Sequence, residues 1–215
     1  MSIEIFEKKY MDAFKELGIS LTPEDGVPED KIGFQERVLE VEFPIALRAY
    51  YLIAGNQELN QGSNIIFEIQ NIYKWEEYLV FMREGNGMES WGISIDSASE
   101  IDPPVHAGLD AGFLNPYLQE ESCSDFLTLN VFSQAMTGGF KHHGEGHIKT
   151  SVAETIKESW KSVGGGFYTS NVKLLYFPDE NFGEEGTVFV SAAARLEKDF
   201  IDMIWDLSAR LSNMD

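Results

Sequence analysis

The 215-residue sequence predicts an α+β fold: a single domain in which a twisted, mainly antiparallel sheet is packed by helices. Three observations carry that prediction. Helical apolar spacing dominates both ends of the chain, two apolar runs flank an Asn-Gly near its middle, and residues 138–215 read helix, strand, strand, helix. A chain of this length buries about 70–75% of the surface its unfolded form exposes, so the core needs neither metal nor disulfide. Neither an internal repeat nor a low-complexity tract appears, and there is no linker long enough to divide domains.

Taken in order, residues 3–17 read as a helix. Phe6, Tyr10, Phe14 and Leu17 recur every three to four positions, while Glu4, Glu7, Lys8, Asp12 and Lys15 fill the other face and Gly18 supplies a stop. Two prolines and a glycine mark residues 22–30 as a loop. A second helix starts at Pro44 and runs through Leu47, Tyr50, Tyr51 and Ala54 to Gly55. Residues 56–64 are rich in Asn, Gln and Gly and read as irregular. Residues 78–83 and 90–95 read as strands around Asn86-Gly87, a strong hairpin cue. Asp102-Pro103-Pro104-Val105 is expected to end this sheet segment, because neither proline can donate to a ladder.

A third helix follows from Ser124, with Phe126, Leu127, Leu129, Phe132 and Met136 as its buried stripe and Gly138-Gly139 as its stop. Ser151 and Glu154 match a capping box and open a fourth, which contains Ile156 and Trp160 and is stopped by Gly164-Gly165-Gly166. Strands are expected near 172–177 and 187–192, joined by an acidic turn over 178–183. The final helix, 194–212, carries Leu196, Phe200, Met203, Ile204, Leu207 and Leu211.

Charge is the outlier of the composition. Sixteen Lys and Arg against 36 Asp and Glu give a net charge of −20 and a pI near 4.4. A field of that sign repels nucleic acid and anionic membranes and favours basic partners. A single cysteine, Cys123, excludes an internal disulfide and argues against an oxidising compartment. The first residues are acidic and amphipathic, without the order of a signal peptide, and no apolar run reaches the roughly 20 residues of a membrane helix. The expectation is a soluble cytoplasmic protein.

The negative charge is unevenly spread. Between Arg83 and Lys141 there is no Lys or Arg, while Glu84, Glu89, Asp96, Glu100, Asp102, Asp110, Glu120, Glu121 and Asp125 accumulate. One reading is a solvated face that serves solubility. The other is a docking surface for a basic macromolecule, since Trp91, Phe113 and Tyr117 lie in the same segment and aromatics ringed by charge resemble an interface core. Trp91 sits in a strand and could equally be core.

Candidate chemistry is thin. His142, His143 and His147 with Glu145 could ligate Zn²⁺ or Ni²⁺, but glycines separate them and the spacing is not that of a zinc-protease helix, so a polar loop is expected and no metal residue is assigned. Cys123 reads as a small semi-buried residue at a helix start rather than a nucleophile. Asp96, Glu100 and Asp102 lack the regular alternation of a calcium loop. No phosphate-binding loop, dinucleotide fingerprint or nucleophile elbow occurs. The reading is not an enzyme, with no catalytic or cofactor-binding residue.

From Phe43 to Val105 the chain resembles the SUKH superfamily of largely bacterial toxin-immunity proteins and some regulatory proteins. The residues that carry the resemblance are Pro44, Leu47, Arg48, Tyr50 and Tyr51, then Ala54-Gly55, the strand Tyr78-Leu79-Val80-Phe81, Trp91-Gly92-Ile93 and Asp102-Pro103-Pro104-Val105. Residues 43–137 match closest, 1–42 precede them as a helix and acidic loop, and 138–215 follow by order of elements. The turn departs from the family, with Glu84-Gly85-Asn86-Gly87 where Glu-Asn-Gln is usual. The resemblance implies an immunity protein that neutralises a cognate polymorphic toxin, often a nuclease, by stoichiometric association. The alternative is a non-catalytic regulatory or scaffolding module with no toxin partner.

Overall fold

The structure, a computed structural model, describes residues 2–109, 112–178 and 186–212, with backbone alone at 206 and 208–212. The fold is α+β with antiparallel pairing throughout, as predicted, and the strands are distributed over two sheets. Contacts group the chain into two compact units, Met1–Phe14 with Ser20–Gln134, and Lys15–Ile19 with Ala135–Asp215.

In the first unit lie α1 (Ile3–Glu16, its residues through Phe14), α2 (Glu29–Leu39), α3 (Ile45–Ala54) and α4 (Cys123–Gln134). Its sheet contains β1 (Asn64–Ile66), β2 (Tyr73–Trp75), β3 (Tyr78–Glu84), β4 (Glu89–Ser94), β5 (Val105–Leu109) and β6 (Leu114–Glu120). The strand order is β1-β3-β4-β5-β6, with β2 also paired to β3. The predicted hairpin forms with Gly87 at φ +77°, its N–H donating to Glu84 O at 2.9 Å, and Met88 N–H donating to Asn86 Oδ1 at 3.0 Å. Positive φ at that position is what selects glycine.

Around α3 the core is tyrosine-rich, and the hydroxyls of its three buried tyrosines are all hydrogen-bonded. Tyr10 and Tyr50 meet edge to face at 5.2 Å, and Tyr10, Tyr50 and Tyr51 donate to Ala46 O, Asn60 Oδ1 and Phe67 O at 3.0, 2.7 and 2.7 Å. A buried phenol without an acceptor would cost about 1–3 kcal/mol, so these bonds let large rings fill the core. Gln134, at the end of α4, holds β1 by accepting from Asn64 N–H at 3.1 Å.

Several expectations change here. The predicted loop over 22–30 holds a short 3₁₀ turn, Pro23–Asp25, and α2 begins within it at Glu29. Residues 56–64 likewise contain a 3₁₀ turn at Glu58–Asn60 and lead into β1. Pro103-Pro104 does not end the sheet: both prolines precede β5, outside the ladder, and β5 and β6 extend the sheet beyond them.

The second unit contains β7 (His142–Lys149), α5 (Thr150–Ser159), β8 (Lys161–Gly164), β9 (Phe167–Ser170), β10 (Lys173–Tyr176), β11 (Thr187–Ala194) and α6 (Glu197–Ser212), with strand order β7-β11-β10-β9-β8. Ile148, Val152, Ile156, Leu175, Val190 and Met203 are among the residues of its core. The glycine triplet is a correction. Gly164, Gly165 and Gly166, all at positive φ, turn the β8–β9 hairpin, and α5 has already ended at Ser159. Ser151 lies inside α5, whose N-cap position is Lys149 with no side-chain cap bond, so the capping box is not formed. In α6, Met203 and Leu207 are buried, but Leu196 precedes the helix and is exposed. The predicted acidic turn at 179–183 and the Leu211 side chain lie outside the described residues.

Candidate protein-binding surface

The base-free segment is sorted by the first sheet into surface, core and capping groups. By register, Trp91 pairs with Ala107 and Ala107 with Tyr117, while Glu89 pairs with Leu109. Directly paired and alternate residues share a face, so Glu89, Trp91, Leu109 and Tyr117 lie on one side of the sheet. Trp91 is only 7% exposed and packs on Phe126 of α4 at 6.2 Å. It belongs to the core and not to an exposed interface. Tyr117 is 46% exposed, and its hydroxyl donates to Glu89 Oε1 at 2.7 Å, across 28 positions of sequence. That bond holds the phenol pKa above its ordinary value, since the acceptor stabilises the protonated form.

Phe113 is also buried, a second correction to its interface reading. Its ring lies over Gly108, where an added Cβ would stand 2.7 Å from Phe113 Cγ, and it packs on Tyr78 at 4.6 Å. Beside them burial pushes the His106 imidazole pKa down, and its Nδ1 finds no hydrogen-bond partner among the described residues.

Both apolar and polar side chains are exposed along this edge, Asn115 and Gln119 among the polar ones. Leu109, Leu114, Tyr117 and Leu118 each show close to half of their surface. Asp96, Glu100 and Glu121 are exposed, and Glu84, Glu89 and Glu120 are half-buried at strand ends. Asp110 lies outside the described residues.

Asp102 has a different task. It accepts from Ser124 N–H at 2.7 Å and from Ser124 Oγ–H at 2.6 Å, and so caps α4 from a distant loop. Lys9 of α1 donates to Ser124 Oγ and Asp125 Oδ1, both at 2.7 Å. The hydrogen bond from Lys9 is the main cause that lowers the Asp125 pKa. A lysine from outside the segment thus neutralises part of it, which no local pattern reveals. Cys123 beside them is fully buried, and burial first, then Asp102, pushes its thiol pKa well up, away from the thiolate a nucleophile needs.

The histidines form a strand rather than the expected loop. His143, Glu145 and His147 alternate outward along β7. Each meets a different neighbour: His143 Nδ1 lies 3.3 Å from Phe140 O, Glu145 accepts from Ser191 Oγ at 3.3 Å, and His147 meets the Phe189 ring at 5.4 Å. Among the described residues no group of three His, Cys, Asp or Glu is placed to hold a metal ion. Nor, among them, is any helix long and apolar enough to cross a membrane. No family model, curated protein or solved structure matches this chain.

Proposed function

We propose that the chain is a non-catalytic cytoplasmic binding protein whose partner is a basic protein docked on the β5–β6 edge of the first sheet. The observation that carries this reading is the exposure of Leu109, Leu114 and Tyr117, which the register puts on one face of that edge, within a stretch that has acids and no Lys or Arg of its own from Glu84 to Phe140. An apolar centre with a rim of one charge sign matches how interfaces divide their work: the centre sets residence time and the rim sets encounter rate. The resemblance to SUKH proteins supports naming the partner class as a polymorphic toxin of nuclease type. A basic nuclease fits, because an acidic inhibitor competes for the surface that holds phosphates.

Capture from the native strain with purified chain, identified by mass spectrometry, supplies the partner for kinetics. Replacing Asp96, Glu100 and Glu121 with lysine should slow association, and the wild-type rate should fall steeply with salt. Tyr117→Ala should instead speed dissociation and cost on the order of 2 kcal/mol. Binding indifferent to both variants, with fold intact, would move the interface elsewhere and end this reading. A basic partner without toxicity would favour the regulatory alternative.

A further inference from the structure

A cavity of about 400 Å³ opens beside the β3–β4 hairpin, lined by Phe67, Asn71, Tyr73, Trp75, Arg83 and Ser90 among others. Its composition runs against the rest of the molecule. In a chain with 36 acidic residues, none lines this cavity, and Arg83 is the only Lys or Arg between Lys74 and Lys141. Arg83 is exposed, and its side chain makes no ion pair or hydrogen bond among the described residues. Burial holds the Tyr73 phenol pKa above its ordinary value, with Ser90 and the Arg83 charge acting in the lowering direction. The walls are aromatic: Phe67 and Tyr73 meet at 5.8 Å with a 39° tilt, and Trp75 is 43% exposed.

We propose that this cavity binds a flat aromatic ring carrying one carboxylate, the ring against Trp75 and Phe67 and the carboxylate on Arg83. Exposed aromatic faces gain most from another flat ring. A guanidinium fork matches a carboxylate with two parallel hydrogen bonds. One negative charge is favoured over two, because the field of a −20 chain opposes every anion and a single guanidinium offsets only one. The volume falls within the ~300–1,000 Å³ of small-ligand pockets. Such a group comes either as a free aromatic acid or as the C-terminal carboxylate of a peptide that ends in an aromatic residue. The site uses none of the residues of the β5–β6 surface and does not depend on that reading.

The test titrates the intact chain with indole-3-acetate and with its uncharged amide, indole-3-acetamide, following the Trp75 indole N–H by NMR. Saturable shifts are expected with the acid, with affinity lower by about tenfold or more for the amide and for Arg83→Met. Arg83 is exposed, so this variant should keep its circular dichroism. Peptides ending in tryptophan, with free or amidated C-termini, separate the sources. Tighter binding of the free-terminus peptide than of indole-3-acetate identifies a chain terminus, and the reverse identifies a small molecule. The proposal is overturned by no saturation up to about 10 mM acid, by equal affinity for acid and amide, or by binding unchanged in Arg83→Met.

Discussion

Replacing Asp102 with alanine separates its capping work from any role in an acidic interface. The substitution removes two charge-assisted hydrogen bonds, from Ser124 N–H at 2.7 Å and Ser124 Oγ–H at 2.6 Å, at the start of a helix that buries eight side chains. Loss of a helix cap costs about 0.5–2 kcal/mol, and a hydrogen bond to a charged group is worth about 1.5–3 kcal/mol. Ser124 is itself 2% exposed, so water replaces the lost acceptor poorly. The two bonds share one serine and are not additive, which puts the total at roughly 2–3 kcal/mol. For a chain of this size that lowers Tm by about 5–10 °C. Asp102→Asn keeps one acceptor oxygen and should lose roughly half as much. Urea and thermal melts read both, with an unchanged denaturant slope expected, and hydrogen exchange at the Ser124 amide localises the effect. In a double-mutant cycle with Ser124→Ala, only the share carried by the hydroxyl should disappear, because the Ser124 N–H still donates to Asp102. A Tm for Asp102→Ala within about 1 °C of wild type would refute the capping argument.

Gly108→Ala should be strongly destabilising, since its Cβ would meet the ring and backbone of Phe113 at 2.7–2.8 Å. Overpacking of this kind costs roughly 1–3 kcal/mol or more. Gly146→Ala, where nothing lies within 4 Å, should be tolerated, and equal urea midpoints for the two would contradict the packing described. Glu89→Gln should lower the Tyr117 phenol pKa, read as a difference in the ultraviolet titration of the two proteins. The sign follows from a raised folded pKa: the bond stabilises the fold below the ordinary tyrosine pKa of about 10 and is lost as pH rises through the folded value. An unchanged titration would mean that the hydroxyl bonds water instead.

The elements legible in the sequence are those whose cues are local. Phe6, Tyr10, Phe14 and Leu17 lie one turn apart and are all buried, so α1 could be read from its own spacing. The β3–β4 hairpin rests on a single glycine at φ +77°. α2 escaped notice because Gly33 interrupts it and Phe34 and Val38 point to solvent, 60% and 56% exposed, which spoils the apolar stripe. β1 and β2 are three residues each and gain their order from β3, not from their own composition. β7 read as a loop because Gly144 and Gly146 alternate with polar residues, yet Gly144 is small because the Phe200 ring covers it, 3.3 Å from where a Cβ would be. In the candidate surface, the missing bases were visible as composition. Which aromatics face solvent was not, because Trp91 and Phe113 are buried by partners on other elements. Lys9 enters from 116 positions away to reach Asp125.

An exposed apolar edge strand normally invites another chain to pair with it. β6 is outermost in its sheet, and Leu114 through Gln119 are exposed on both faces. Its backbone is nevertheless a poor template. Pro116 has no N–H to offer, Asn115 at φ +49° leaves the extended region, and the β5–β6 register shifts twice, between Val105 and His106 and between Ala107 and Leu109. Glu120 and Glu121 add like charge at the strand's end, which a parallel pairing of two copies would bring together. These features oppose strand addition while leaving Leu114 and Tyr117 exposed on one face and Leu118 on the other. Under the proposed function, a partner at this edge would be recognised through side chains, by an apolar pocket and basic rim of its own. The same features oppose strand addition by a second copy of the chain.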